Sequence, residues 1–148
     1  MITFSKVTIA CVGFAIAVAA APASAERRYI TDSPNAPYSQ GVIADDTLYI
    51  SGTLGLDAKT GQPPADPKVE VQMIMDSIKR VAEAAGYKMD DIVNVQVFCT
   101  DLSLFASFNE VYRTYFQSGR MPARAFIGTD KLLRGARFEV SATAVKDD

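Results

Sequence analysis

Residues 121–126, Met-Pro-Ala-Arg-Ala-Phe, set one guanidinium inside a short apolar stretch, with no acidic residue before Asp130. Pro122 removes a ladder donor and marks the start of a strand near a sheet end. In an extended chain Arg124, Phe126 and Gly128 share one face, and Ala125 and Ile127 the other. An arginine fork at a strand end, beside small residues, is suited to holding a planar carboxylate through two parallel hydrogen bonds. The alternative is an arginine in a structural ion pair. Tyr38 in "NAPYSQG" follows a stiffening proline and offers a ring and a hydroxyl. Ser51-Gly52 in "LYISGTLG" combines a hydrogen-bonding side chain with a glycine that lets a ligand approach the backbone. Asn109 lies one position from the apolar Phe108 in "FNEVYRTYF". Each also has a plain structural explanation: packing, a turn, a solvated helix face. The chain contains no histidine, which excludes Ser-His and Cys-His catalysis in their usual forms and every His-ligated metal site. Chemistry here rests on carboxylates, arginine, tyrosine, hydroxyls, backbone groups and water.

The elements that must position these groups follow from spacing. Residues 27–32 are a short strand candidate, and 41–52 read as a β-hairpin around an Asp45-Asp46 turn. Residues 55–66, rich in glycine, proline and polar side chains, are loop. Asp66 before Pro67 is a helix start; Val71, Ile74, Met75, Ile78, Val81, Ala82 and Ala85 recur at helical spacing, and Gly86 ends the run. Residues 91–101 alternate apolar and polar and form a strand. Ser103 is expected to cap a second helix with the stripe Leu104, Phe105, Phe108, Val111, Tyr112, Tyr115 and Phe116, closing at Gly119. Strands at 123–129 and 137–146 complete an α+β domain in the order β-β-β-α-β-α-β-β, a mixed sheet with two helices packed on one face. The other face, expected to show Ile92, Asn94, Gln96 and Phe98, is half-apolar and uncovered. Such a face predicts packing against another copy and pockets at subunit contacts.

The first 25 residues differ in kind. A lysine-bearing start, an apolar run of about 15 residues and a small-residue Ala-x-Ala ending have the pattern of a secretory signal peptide, cleaved after Ala25; the run is shorter than the ~20 residues that span a bilayer. The expectation is therefore a leader at 1–25, one domain at 26–148, a periplasmic or secreted location, and no membrane partner after cleavage. Lys6 is the only charge in the leader, so of 15 basic and 17 acidic residues the mature chain keeps 14 and 17. A net charge of −3 argues against nucleic acid as partner, which requires a basic patch. Cys11 leaves with the leader. Cys99 shares an alternating face with Val93, Val95 and Val97, and reads as a buried, inert thiol.

Taken together, "APYSQG", "LYISG", "AEAAGYKMDDIVNVQVFCTDL", "FNEVYRTYF", "MPARAF" and "RFEVSATAV" resemble the RidA/YjgF/UK114 family in order and spacing across residues 29–146. The resemblance implies a chorismate-mutase-like α+β fold and a homotrimer with ligand sites between subunits. It further implies hydrolysis of reactive 2-imino and enamine acids of the 2-aminoacrylate type to 2-keto acids and ammonia, with neither metal nor cofactor. By position, Arg124 corresponds to the arginine that clamps the substrate carboxylate. Tyr38, Ser51, Gly52 and Asn109 correspond to the other substrate-binding positions. The last strand departs from the pattern. Ser141 stands where deaminating members carry the glutamate that holds and activates water, and Phe126 stands where a cysteine is common. Glu139 lies two residues earlier on the same strand face, about 6.6 Å away at ~3.3 Å per residue, and reaches the water only by turning along the strand. The catalytic candidates are accordingly Arg124, Ser141 and Glu139. The alternative function is a non-catalytic exported module that binds small carboxylates. An endoribonuclease, a third activity ascribed to the wider family, fits poorly with net acidity, export and the lack of histidine.

Overall fold

Helix α1 (Pro67–Ala85) begins where its sequence demands. Asp66 is extended, and its Oδ1 accepts a hydrogen bond from the Lys68 amide at 2.8 Å, with Pro67 at the first helical position. Gly86, at φ 84°, ends the helix by donating its N–H to the carbonyls of Ala82 and Glu83. The computed structural model describes residues 27–32 and 34–146; the proposed leader at 1–25 lies outside them. Around α1 stand β1 (Arg28–Ile30), β2 (Gly41–Ala44), β3 (Thr47–Leu54), β4 (Ile92–Cys99), α2 (Phe105–Tyr112), β5 (Ala123–Gly128) and β6 (Phe138–Val145). This is the predicted element order.

The strands form one mixed sheet in the order β1-β2-β3-β6-β4-β5, antiparallel throughout except for the parallel pair β4–β5. Both helices lie on one face, and α1 packs on β3, β6 and α2. The core between the layers joins Val71, Ile74, Met75 and Ile78 of α1 to Leu48, Ile50, Val95, Val97, Phe138, Val140 and Ala142 of the sheet. β5 is an edge strand, and Pro122 precedes it as the sequence led one to expect.

Three local expectations are corrected. Asp101, not Ser103, accepts the capping bond: its Oδ1 takes the Ser103 amide at 2.9 Å and opens a 3-10 turn (Leu102–Leu104) before α2. The carboxylate competes better than the hydroxyl for a backbone donor. The second helix tightens into another 3-10 turn (Arg113–Tyr115) and does not run on to Gly119. A register shift between Ile92 and Asn94 turns Ile92 into the core and leaves Val93 on the open face, so Val93 does not share the face of Cys99. The open face accordingly shows Val93, Tyr49 and Ile127 among polar Asn94, Gln96 and Thr143. Cys99 itself is buried, its Sγ directed at the Asp101 carbonyl, and burial raises the thiol pKa, in keeping with an inert role.

One charge lies within the core. Glu70, in the first turn of α1, is fully buried. Its Oε1 accepts the backbone amides of Arg137 (2.7 Å) and Phe138 (3.1 Å), and its Oε2 pairs with the Arg137 Nε at 2.7 Å. The rest of the Arg137 fork donates to the carbonyls of Pro64 and Ala65. Gly55 admits this arrangement, since a Cβ there would meet the Glu70 carbonyl oxygen at 2.4 Å. Removing one member of a buried pair strands the other without compensation. Glu70→Ala is expected to lower unfolding stability by about 3 kcal/mol, read from urea denaturation; a loss near zero would contradict a structural role for the carboxylate.

Candidate functional site

β2 begins at Gly41, which pairs Ile50 of β3, so residues 52–54 have no β2 partner and form a free strand edge. On the other side, the register with β6 jumps between Ile50 and Thr53. That bulge places Ser51-Gly52 opposite Ser141, with the amide of Ser51 donating to the Gln40 carbonyl at 3.0 Å. A cavity of about 630 Å³ opens along this edge, lined by Tyr38, Ser51, Gly52, Leu54, Arg134 and Glu139 among others. Tyr38 lines it and is itself exposed.

Glu139 does turn along the strand. Its carboxylate lies over Gly52, so close that a Cβ at residue 52 would fall 2.1 Å from Oε1. The glycine therefore makes room for the carboxylate as well as for a ligand. Glu139 has neither a hydrogen bond nor an ion pair among the described residues. Ser141 borders the bulge but does not line the cavity. The hydroxyl of Ser51, expected to donate to a ligand, is already committed to the Ser39 carbonyl at 2.6 Å; it retains only acceptor capacity.

Arg124 lies elsewhere. It faces the helix side of β5, in register with the buried Val95, and lines a second cavity of about 390 Å³ with Asn109, Tyr112, Met121 and Pro122. The ion-pair alternative is not realised: no carboxylate pairs with Arg124 among the described residues. The guanidinium is held by aromatic faces instead, its Cζ 4.6 Å from the Tyr112 ring centre, 5.6 Å from Phe126, 5.7 Å from Phe105 and 5.8 Å from Phe108. Phe105 and Phe108 meet Phe126 edge-on at 5.0 and 5.2 Å, which fixes the rings. Cation–π contact orients a guanidinium through its face and leaves the in-plane N–H donors for a ligand. Phe126 is thus part of the support for Arg124.

Tyr112 escaped sequence reasoning as anything but a stripe residue. Its hydroxyl is buried and makes no well-formed hydrogen bond, the Arg124 guanidinium being the polar group near it; a buried phenol left without a partner costs about 1–3 kcal/mol. Burial pushes its pKa up to about 12, with the nearby Arg124 charge pulling the other way. The phenol therefore stays neutral and cannot cancel the positive charge. Arg134 was also missed, because nothing in "KLLRGAR" shows that its turn folds back to the free edge of β3.

Tyr38, Ser51, Gly52 and Glu139 are thus brought together, and so are Arg124 and Asn109. The two groups do not meet within one chain: Glu139 stands on the open face of β6 and Arg124 on the helix face of β5, with β4 between them, and the β3 residues lie one strand farther off. Losing a charge-assisted bidentate contact predicts that Arg124→Ala binds pyruvate about tenfold or more weakly than the unaltered protein. Titration calorimetry measures this, and an unchanged Kd would rule out the clamp.

Comparison with known proteins places this geometry. Residues 30–146 match the family model described as Endoribonuclease L-PSP. The mouse 2-iminobutanoate/2-iminopropanoate deaminase is 40% identical over 111 residues, covering 74% of this chain and 82% of the mouse protein. A RutC family protein of Pyrococcus horikoshii is 36% identical over 115 residues, covering 77% of this chain and 90% of its own. Among solved structures, RidA from Psychrobacter superposes with a TM-score of 0.70 at 34% identity, covering 77% of this chain and 92% of that one. E. coli TdcF with bound serine gives a TM-score of 0.71 at 32% identity over 76% of this chain and 90% of that one. With the family model spanning nearly all of the described residues and the fold in agreement, the chain belongs to the RidA/YjgF/L-PSP family.

Proposed function

We propose that this protein is a cofactor-free deaminase that hydrolyses 2-imino acids of the 2-iminobutanoate/2-iminopropanoate type to 2-keto acids and ammonia. The observation that carries the mechanism is the Glu139 carboxylate, unpaired and lying over Gly52 in a cavity beside Tyr38 and Ser51. An imine carbon is already electrophilic, so hydrolysis needs orientation and a water with somewhere to lose its proton. Glu139 accepts that proton as the water oxygen bonds to C2 and the C=N electron pair moves to nitrogen, and then returns it to that nitrogen. The resulting carbinolamine re-forms a carbonyl and expels ammonia. Enamines enter the same route after tautomerising to imines. Arg124 holds the substrate carboxylate, and Asn109 stands beside it.

Because the two halves are separated in one chain, the working site is completed by a second copy. We infer a homotrimer in which the Arg124 half of one subunit meets the Glu139 half of the next. The unpartnered apolar side chains of the open sheet face support this assembly. We also infer export, supported by the signal-like pattern at 1–25, with a mature chain beginning at Glu26. The net negative charge weighs against ribonuclease action, for lack of a basic surface to hold a polyanion.

The test follows imines made in situ from L-alanine by an amino-acid oxidase, with and without the purified protein. Hydrolysis above the spontaneous rate is expected, and Glu139→Gln is expected to lower kcat by about 100-fold. Ser141→Ala should do less damage than Glu139→Gln; the reverse ranking would give the water to the serine. A wild-type rate no higher than spontaneous, with 2-keto acids still bound, would instead identify a binding module.

A further inference from the structure

We propose that Arg134 is a specificity residue that takes the distal carboxylate of a dicarboxylic 2-imino acid, so that the preferred substrates are of the 2-iminoglutarate or iminosuccinate class. This rests on the deaminase reading and names its substrate.

The first observation is conformational. Arg134 has φ 57° and ψ 20°, left-handed backbone in a residue that bears a side chain. This conformation costs an ordinary residue roughly 1–2 kcal/mol, and glycine escapes the penalty, as Gly135 does next to it at φ 71°. The turn is closed by the Ala136 amide on the Leu133 carbonyl at 3.1 Å. An observed outlier of this kind in a cavity wall points to a role for the side chain it carries.

The second observation is placement. Arg134 lines the same cavity as Tyr38, Gly52 and Glu139. Its Nη1 lies against Gly61 of the 55–66 loop, 3.4 Å from where a Cβ would stand, so that loop presents no side chain to the guanidinium there. No hydrogen bond or ion pair engages it among the described residues, and Glu139 stays beyond ion-pair distance. Arg137, three residues later, is by contrast fully committed to Glu70, Pro64 and Ala65. One arginine of the turn is structural; the other is free and faces a ligand space.

The third observation is size and charge order. A cavity of about 630 Å³ lies in the range that takes ligands larger than a three-carbon imino acid. Leu54, Leu56 and Leu133 supply apolar wall for intervening methylenes. With Arg124 of the adjoining copy on the α-carboxylate and Glu139 at the reacting carbon, an acidic substrate tail is repelled by Glu139 and received by Arg134. A guanidinium offers that tail a two-point contact worth at least a factor of about ten in affinity.

The experiment compares kcat/KM for 2-iminoglutarate and 2-iminopropanoate, generated from L-glutamate and L-alanine by amino-acid oxidases, together with Kd for 2-oxoglutarate and pyruvate. Arg134→Gly suits the left-handed position and preserves the fold, and Arg134→Lys keeps the charge without the fork. The wild-type protein is expected to favour the dicarboxylic member of each pair. In Arg134→Gly the dicarboxylic-to-monocarboxylic ratio should fall by about tenfold or more, with partial recovery in Arg134→Lys. A ratio unmoved by Arg134→Gly, or a wild-type preference for the monocarboxylic member, overturns the proposal. Should neither imine be hydrolysed faster than spontaneously, the deaminase reading fails, and the two Kd ratios still decide the role of Arg134.

Discussion

The buried carboxylate of Glu70 is the point from which the active geometry is measured. A charge in the core must be compensated in full, and Glu70 ties together two other parts of the chain: the Arg137 and Phe138 amides and the Arg137 side chain at the start of β6 and, through that side chain, the carbonyls of Pro64 and Ala65. Once these are satisfied, α1, the 55–66 loop and the start of β6 have no freedom to slide past one another. Arg134 lies three residues before that anchor and Glu139 two after it. The turn that carries the free arginine and the strand that carries the free carboxylate are set by the same contact.

The two charges proposed to handle substrate are kept uncommitted by different means. Glu139 is left without a donor because its carboxylate sits over a glycine at a strand edge that β2 does not reach. Arg124 is left without an acceptor because aromatic rings hold it. An arginine bound by a carboxylate has little remaining attraction for an anionic ligand; one bound by rings keeps its charge and its donors. Placing the two on opposite faces of the sheet, with β4 between their strands, also keeps them from neutralising each other within a chain. In the proposed assembly a second copy supplies the missing half.

Much of the fold was legible in the sequence. Asp66-Pro67 and Gly86 delimited α1 to the residue, and alternation placed β4 and β6, because local physics decides those features. The misplaced cap at Asp101 was a close competition between neighbouring side chains. The shift at Ile92–Asn94 had no local signal, since a bulge is fixed by pairing partners that are distant in sequence. The same division holds for the site. Arg124, Tyr38, Ser51, Gly52 and Asn109 stood out by motif, yet their partition into two separated groups depends on strand order. Glu139 was visible as a residue two positions from the expected glutamate. Its carboxylate reaches Gly52 only because the bulge opens the space. Tyr112 and Arg134 carried no pattern that separates a packing or surface residue from a cavity wall.

The central claim, that each working site joins the Arg124 half of one subunit to the Glu139 half of another, is tested most directly by complementation. Arg124→Ala and Glu139→Gln should each disable the proposed homo-oligomer on their own. Unfolded together and reassembled in equal amounts, they should regain about a quarter of the wild-type imine hydrolysis, because random mixing restores both intact halves at that share of subunit contacts. Recovery to that level supports a site built across subunits. A reassembled mixture that forms hybrid oligomers yet stays as inactive as its parents would place Arg124 and Glu139 in a single-chain site and contradict the account.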